Sequence, residues 1–438
     1  MIRPCFVAKA AFVVALGILA VPAHPAAAQD QSSQQPPYTI PEYNAYQAAR
    51  SETNAQNRVK LLDDFVAKFP NSTLLPYIYQ LYMSTYTELK DYPNVIKSAD
   101  KLLSLPDGKV DAGTKLQALQ SRVQAFQASF DPKAADAHDQ LTKERDAARQ
   151  GAQALAAYPK PANSTMPDEE FAKQKKPGIA FFDSAAGFAD IQLKDYAAAI
   201  TDYKAALDNA PTDGVSWYRL GVSYLEVQPP QTIDGFWAIA RSINLKVPGM
   251  DDAKLKDYLK KSIMSYEQPN CDSIVDTQLA ELLQLAGTSG DRPATYTIPS
   301  AADLQKAASG STILTVITDL QAGGDKGKLT WIAICGAEFP QVGGKIFDVT
   351  PGTDSVEMHI YTGATAEDIT NSTAANLDVK FVGQPEVSRF KKDDEIVFDG
   401  TLVGYDPTPF MLHFDKAKVD PKIIPAEGAA AGKKKTTK

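Results

Sequence analysis

Histidine and cysteine are scarce in this chain: four and three among 438 residues. His24 and Cys5 lie close to the N-terminus, which leaves His138, His359 and His413 with Cys271 and Cys335. No histidines share the short spacing of a helical zinc site, and two cysteines 64 positions apart do not make a metal knuckle. A metal centre is therefore not expected. Catalysis needs a nucleophile, a base and a stabilising group that converge, and no such set is legible, so the expectation is a non-enzyme without a cofactor. The apolar run at residues 10–21 falls short of the ~20 residues that a membrane-crossing helix requires. Basic residues are outnumbered by acidic ones, 45 to 53, for a formal charge of −8. Such a chain is a poor fit to a phosphate backbone, which draws on Lys and Arg.

That short apolar run has a different use. Arg3 and Lys9 flank it, and Ala26-Ala27-Ala28 offers a small-residue cleavage site before Gln29. This is the pattern of an export signal over residues 1–28, and it implies a periplasmic or secreted protein. Removal of two basic and no acidic residues would move the charge from −8 to −10. Residues 29–40 read as a disordered leader rich in Gln, Ser and Pro. An exported protein resides where disulfides persist, yet the residues alone leave Cys271 and Cys335 open between pairing and two buried thiols. At the other end, residues 425–438 read as a flexible tail carrying Lys433, Lys434, Lys435 and Lys438.

From residue 41 to 268 the period is helical. Gly187 and Gly221 stand 34 residues apart. Tyr196, Ala199, Tyr203, Ala206, Leu207 and Pro211 follow the first, and Trp217, Leu220, Gly221 and Tyr224 open the second. That period and that order of small and aromatic residues resemble the tetratricopeptide repeat, a helix-turn-helix unit. Such a unit cannot bury its apolar face alone; it stacks in series and leaves a groove for a partner. An earlier copy at Tyr79, Tyr82, Tyr86, Tyr92, Val95, Ala99 and Leu102 has Met83 where the pattern places glycine.

Around these copies, helices are expected at residues 43–49, 58–69 and 251–266. A hairpin of 111–130 and 132–158 is expected, with Pro132 in a first helical turn, and a loop at 159–177 containing a short helix at 168–175. Pro229-Pro230 lengthens one turn. The resemblance implies that the first helix of each unit lines the groove, which assigns Tyr77, Gln80, Ser84, Phe181, Phe188, Tyr218 and Val222 to partner binding. Gly187, Tyr196, Ala199, Tyr203, Ala206, Pro211, Trp217, Leu220, Gly221 and Tyr224 fall to packing between helices.

Residues 269–340 read as a connecting, mainly helical segment, with helices at 273–285 and 301–320. Within it, residues 322–329 nearly spell a phosphate-binding loop, but lack the first Gly and the closing Ser or Thr, and follow a helical pattern instead of a strand. They read as a glycine-rich turn. Over 341–424 the period falls to two, and strands are expected at 345–349, 356–361, 377–382, 395–403 and 411–414. Five short strands imply a small antiparallel β-barrel, and the stretch 390–403 is similar to the late hairpin of oligonucleotide/oligosaccharide-binding (OB) folds. His359 and His413 read as half-exposed strand residues.

The fold class expected is thus multidomain α plus β: an α-solenoid of tetratricopeptide-like hairpins followed by an OB-like barrel. The function expected is a scaffold that binds a protein or peptide partner in the helical groove, with the barrel as a second surface. The alternative is that the barrel binds a cell-envelope polymer or oligosaccharide.

Overall fold

The computed structural model describes residues 37–426, except 107 and 248. The expected export signal, most of the leader and nearly all of the Lys-rich tail lie outside the described residues. The chain divides into two compact units: Met1–Lys256 with Leu283–Arg292, and Asp257–Leu282 with Pro293–Lys438.

The first unit is built from helical hairpins in series. These are α1 (Ile40–Ser51) with α2 (Ala55–Lys68), α3 (Leu75–Glu88) with α4 (Tyr92–Leu103), α5 (Ala112–Ser129) with α6 (Ala137–Ala157), α7 (Asp168–Leu193) with α8 (Tyr196–Asn209), and α9 (Gly214–Glu226) with α10 (Thr232–Asn244). Side-chain oxygens start many of these helices. Thr39 forms a capping box with Glu42, and Asp91, Asp111, Asp195 and Asp213 each accept from a backbone N–H in the first turn that follows. Each such cap is worth ~1 kcal/mol.

The turns inside the second and fourth hairpins are the same device. Leu-Lys-Asp-Tyr occurs at 89–92 and again at 193–196. Lys90 and Lys194 both adopt positive φ, 56° and 62°. The N–H groups of Asp91 and Asp195 reach back to the carbonyls of Tyr86 and Asp190. Packing inside the two hairpins is complementary in volume. A Cβ on Gly187 would meet the Tyr203 ring at 2.8 Å. At the matching places of the second hairpin stand Met83 and Ala99, both buried in one cluster. The bulk has moved from the second helix to the first, so the missing glycine does not keep the helices apart. In the fifth hairpin the partner of Gly221 is Ile239, two positions later in register than Tyr203 is from Gly187, as the Pro229-Pro230 insertion requires.

Two expectations need correction. Pro132 does not open a helix: Asp131 accepts from the N–H groups of Lys133 and Ala134, holding residues 131–136 in turns, and α6 starts at Ala137. Residues 168–193 form one helix running through Pro177, not a short helix and a loop. Asp168, Glu169 and Glu170 complement the helix dipole in its first turn. Lys175 donates to the carbonyls of Ala156 and Tyr158 and lies over the Phe171 ring. These contacts hold the segment before the proline against the end of α6.

Helices α11 (Asp252–Glu267) and α12 (Asp272–Thr288), whose larger parts belong to the second unit, are tied there by Lys260–Asp276 at 2.5 Å and Gln278–Glu267 at 2.6 Å. The segment expected as one helix at 301–320 is two, α13 (Ala301–Ala308) and α14 (Ile313–Ala322), because Gly310 between them takes φ of 85°. Gly323 and Gly324, both at positive φ, turn the chain into α15 (Gly324–Ile334). Residues 322–329, expected as a glycine-rich turn, are therefore mostly helical: only Gly323 stands between the two helices, and 324–329 open α15. Cys271 and Cys335 are joined by a disulfide, with Cα atoms 5.7 Å apart.

The strands are β1 (Glu338–Pro351), β2 (Ser355–Tyr361), β3 (Leu377–Val382), β4 (Glu395–Pro407) and β5 (Phe410–Lys418), with a short helix α16 (Ala366–Asn371) before β3. They close into a barrel in the order β1-β2-β3-β5-β4. β1 is long enough to serve both edges: Glu338 to Lys345 pair with β4, and Lys345 to Pro351 pair with β2. One neighbouring pair, β3 with β5, is parallel, so the barrel is not wholly antiparallel as expected. Alternation along each strand fills the interior with Ile346, Met358, Val379, Phe381, Phe398 and Phe414, and Val387 and Phe390 from the β3–β4 connection bury against the same cluster.

Candidate partner-binding surface

The first helices of the hairpins form a layer of their own: α3 packs on α5, α5 on α7, and α7 on α9. Polar side chains stitch that layer together. Gln80 of α3 donates to Thr114 Oγ1 at 3.2 Å and Gln117 Oε1 at 3.1 Å on α5. Ser216 of α9 donates to Ser184 of α7 at 3.2 Å, and the Arg219 guanidinium lies 5.0 Å over the Phe188 ring.

Against this frame the residues assigned to the groove separate into two groups. Tyr77 is half-buried and its ring sits 6.1 Å from that of Tyr46, so it belongs to the contact between the first and second hairpins. Phe181 meets Phe182 edge-on at 5.4 Å and packs on the core between α5, α6 and α7. Phe188 is half-buried between the Phe130 ring, edge-on at 6.2 Å, and Arg219. Ser84 is exposed, and Gln80, Tyr218 and Val222 are half-exposed on α3 and α9. The layer thus carries Gln80 on α3, Phe188 on α7, and Tyr218 and Val222 on the adjoining α9, with much of the aromatic surface engaged in packing.

The residues assigned to packing sit between helices. Ala199, Tyr203 and Ala206 are buried on α8, with Gly187 opposite; Leu220 joins the same cluster, with half-buried Trp217 and Tyr224 against it. Tyr196 is half-buried at the start of α8. The carbonyl of Pro211, itself exposed, accepts from Trp217 Nε1 at 2.9 Å.

Sequence reasoning missed a set of buried charges. Arg122 of α5 bonds Glu144 of α6 at 2.6 Å and Asp100 of α4 at 2.8 Å. Arg149 of α6 joins Asp190 of α7 at 2.6 Å and Asp202 of α8 at 2.9 Å. Glu144 and Asp190 are fully buried, and one oxygen of each has no hydrogen-bond partner among the described residues. Burial pushes the Glu144 carboxyl up to about 8, against the pull of Arg122. Asp183 is raised to about 6 by burial and by Asp202, and Asp190 is raised for the same two reasons. Charged residues at helical positions read as solvated faces in a sequence; only the pairing of Arg122 and Arg149 with apolar neighbours on the same helices hinted otherwise.

On the barrel exterior, aspartate and histidine alternate across neighbouring strands. His359 Nδ1 lies 2.9 Å from Asp348, and His413 contacts Asp378 through Nδ1 and Asp406 through Nε2, each at 3.0 Å. All five side chains are partly exposed, the most enclosed being His413 at 32%. The contacts of both histidines are to these carboxylates. No group of three or more potential ligands that could hold a metal ion occurs among the described residues. No helix among them is long and apolar enough to cross a membrane.

No protein-family model matches the chain, and no curated protein matches it. Among solved structures the chain is similar to the C-terminal part of a tetratricopeptide repeat-containing protein from Cytophaga hutchinsonii. The two are 17% identical over 57% of this chain and 95% of that one, with a TM-score of 0.24. A likeness that loose carries no inference. The hairpins themselves, with their 34-residue offset and small-against-aromatic packing, make the helical part tetratricopeptide-like, and that fold suggests a protein-interaction scaffold.

Proposed function

We propose that this chain is an exported, non-enzymatic scaffold that holds a protein or peptide partner on the layer of first helices. The observation that carries the reading is the α3–α5–α7–α9 layer, held by side-chain contacts between successive hairpins and presenting Gln80, Ser84, Tyr218 and Val222 at its surface. Stacked hairpins leave such a surface uncovered because each needs its neighbours only on two sides. Export is supported by the N-terminal pattern and by the Cys271–Cys335 disulfide, which suits an oxidising compartment. The barrel is a second surface for the same assembly.

The alternative, polymer binding by the barrel, has less behind it. The exterior of β2 and β3 presents Glu357, His359, Asp378 and Lys380, and no pair of aromatic rings on which bases or sugars would stack.

The test uses the full chain, affinity-purified from its native cell with its co-eluting proteins. Ser84→Arg with Val222→Arg is expected to remove a specific protein partner, while Lys204→Glu on the second-helix surface retains it. Retention of that partner by the arginine variant, or its loss only on altering Glu357 and Lys380 of the barrel, would sink the reading. Localisation is checked by the N-terminal sequence of the native protein, expected to begin at Gln29.

A further inference from the structure

Where α11 and α12 meet in the second unit, a carboxyl group is buried that partner binding on the first helices does not use. Glu267 closes α11 and has no exposed surface; Gln278, on α12, is 9% exposed. Ile263 lies one turn before Glu267, and Ile274, Val275 and Leu282 lie one turn to either side of Gln278; all four are buried. The carboxyl and the carboxamide therefore meet inside an apolar contact. Gln278 Nε2 donates to Glu267 Oε1 at 2.6 Å. Glu267 Oε2 and Gln278 Oε1 have no hydrogen-bond partner among the described residues.

Those two oxygens decide the chemistry. A carboxylate carries no donor, and the oxygen of a carboxamide carries none either. Two buried acceptors cannot satisfy each other, and each one left unmet costs free energy. A proton on Glu267 Oε2 changes this. The acid then donates to Gln278 Oε1 while its own Oε1 accepts from Gln278 Nε2, and carboxyl and amide close a ring of two hydrogen bonds. The unpartnered oxygens are the two that the second bond of such a ring joins. No counter-charge offers another solution. Burial drives the Glu267 carboxyl up to about 7, the Gln278 amide pulls the other way, and no lysine or arginine is among the causes. The titratable neighbours are Tyr266 of α11 and Tyr296 of the segment before α13, whose phenols burial also raises. Beyond them stand two acids, Asp303 of α13 and Glu281 of α12, the latter paired with Lys328 of α15. Lys260 of α11 is joined to Asp276 of α12.

We infer that Glu267 is a neutral acid in the folded protein, and that its ring with Gln278 is a proton-operated clasp between α11 and α12. Loss of the proton removes the donor of one bond and leaves a buried charge, so the helix pair loosens. The folded chain keeps a proton that the unfolded chain releases near 4.5. The clasp's contribution is therefore whole below about 4.5, declines as pH rises, and is gone above about 7. The turn between the helices stays fixed meanwhile, since Cys271 within it is bonded to Cys335. Opening is thus local to the two helices.

The experiment takes the full, disulfide-bonded chain, labels the glutamate carboxyl carbons for NMR, and follows each signal through a pH titration. The Glu267 signal is the one missing from Glu267→Gln. At about pH 6, where exposed glutamates have ionised, it is expected to remain at its protonated position, and to titrate near 7. Hydrogen exchange reads the clasp itself. Corrected for the intrinsic effect of pH, the amides of residues 257–282 should open up to about a hundredfold more readily at about pH 8.5 than at about pH 5. Glu267→Gln keeps both bonds of the ring as an amide pair at every pH. Its exchange should lose that dependence and stay as slow as that of the native protein in acid. A Glu267 signal that titrates in the ordinary glutamate range overturns the inference; an ionised carboxyl solvated by an internal water would show itself this way. Exchange that is equal at the two pH values overturns it too, as does a pH-dependent opening that persists unchanged in Glu267→Gln.

Discussion

At the scale of single residues, close helix approach rests on glycines, among them Gly151, Gly187, Gly221 and Gly235. A Cβ on Gly221 would lie 2.6 Å from Ile239 Cγ1 and 3.0 Å from the Gly235 carbonyl and the Ile239 nitrogen. Alanine gains ~1 kcal/mol over glycine in a helix interior, but overpacking costs ~1–3 kcal/mol. The second effect wins here because two of the three obstructing atoms are backbone and cannot step aside. Gly221→Ala is expected to lower the stability of the helical unit by ~1–2 kcal/mol in urea titration. Gly287→Ala is the control: its nearest neighbour, the Asn244 amide, is 3.4 Å away, so no loss is expected. The same residues show what a sequence reveals. Gly187 and Gly221 were legible because glycine within an aromatic helix has few other uses. Met83 obscured its hairpin, since the compensating residue, Ala99, becomes informative only when both helices are seen together. The repeated Leu-Lys-Asp-Tyr turn was a signal in plain view that would have aligned the second and fourth hairpins directly.

At the scale of elements, the hairpins α5–α6 and α7–α8 are held by charges taken out of water, and this makes their stability depend on pH. Glu144 at about 8 and Asp183 at about 6 titrate above the ~4 of unfolded carboxyls. The folded state therefore holds protons that the unfolded chain has released. Stability should rise as pH falls from about 8 towards about 5, and level off near the unfolded values. Thermal melts at pH 8.5 and 5.5 check this, with the higher midpoint expected in acid. Glu144→Gln, which still accepts from Arg122, should flatten the dependence. Readings of helix positions succeeded where apolar spacing was regular. They failed at Pro177 and Pro132, where local proline rules met side chains that reached across from other segments: Lys175 to the end of α6 in one case, and Asp131 to its own turn in the other. The groove was legible in outline, because the position of a first helix follows from the repeat, whereas the commitment of Tyr77, Phe181 and Phe188 to neighbours depends on contacts that no spacing encodes.

Across the whole molecule, the five-stranded barrel was legible, but not which strands pair to close it. The parallel β3–β5 pair and the double service of β1 arise from long-range register, which alternation does not specify. The bond between Cys271 and Cys335 closes a segment 64 residues long. In the chain-entropy account such a closure stabilises by ~4 kcal/mol. Replacing both cysteines by serine should reduce unfolding stability of the second unit by that order, and dithiothreitol should move the native protein towards the variant while leaving the variant unchanged.

The bond also alters what a single backbone cut can do. Between its ends the chain leaves the second unit at Leu282, supplies Leu283–Arg292 to the first, and returns at Pro293. A protease that severs the exposed turn at Ser309 and Gly310 would open this ring without freeing either piece. The nicked molecule should migrate on a non-reducing gel as one species and separate into two bands once thiol is added.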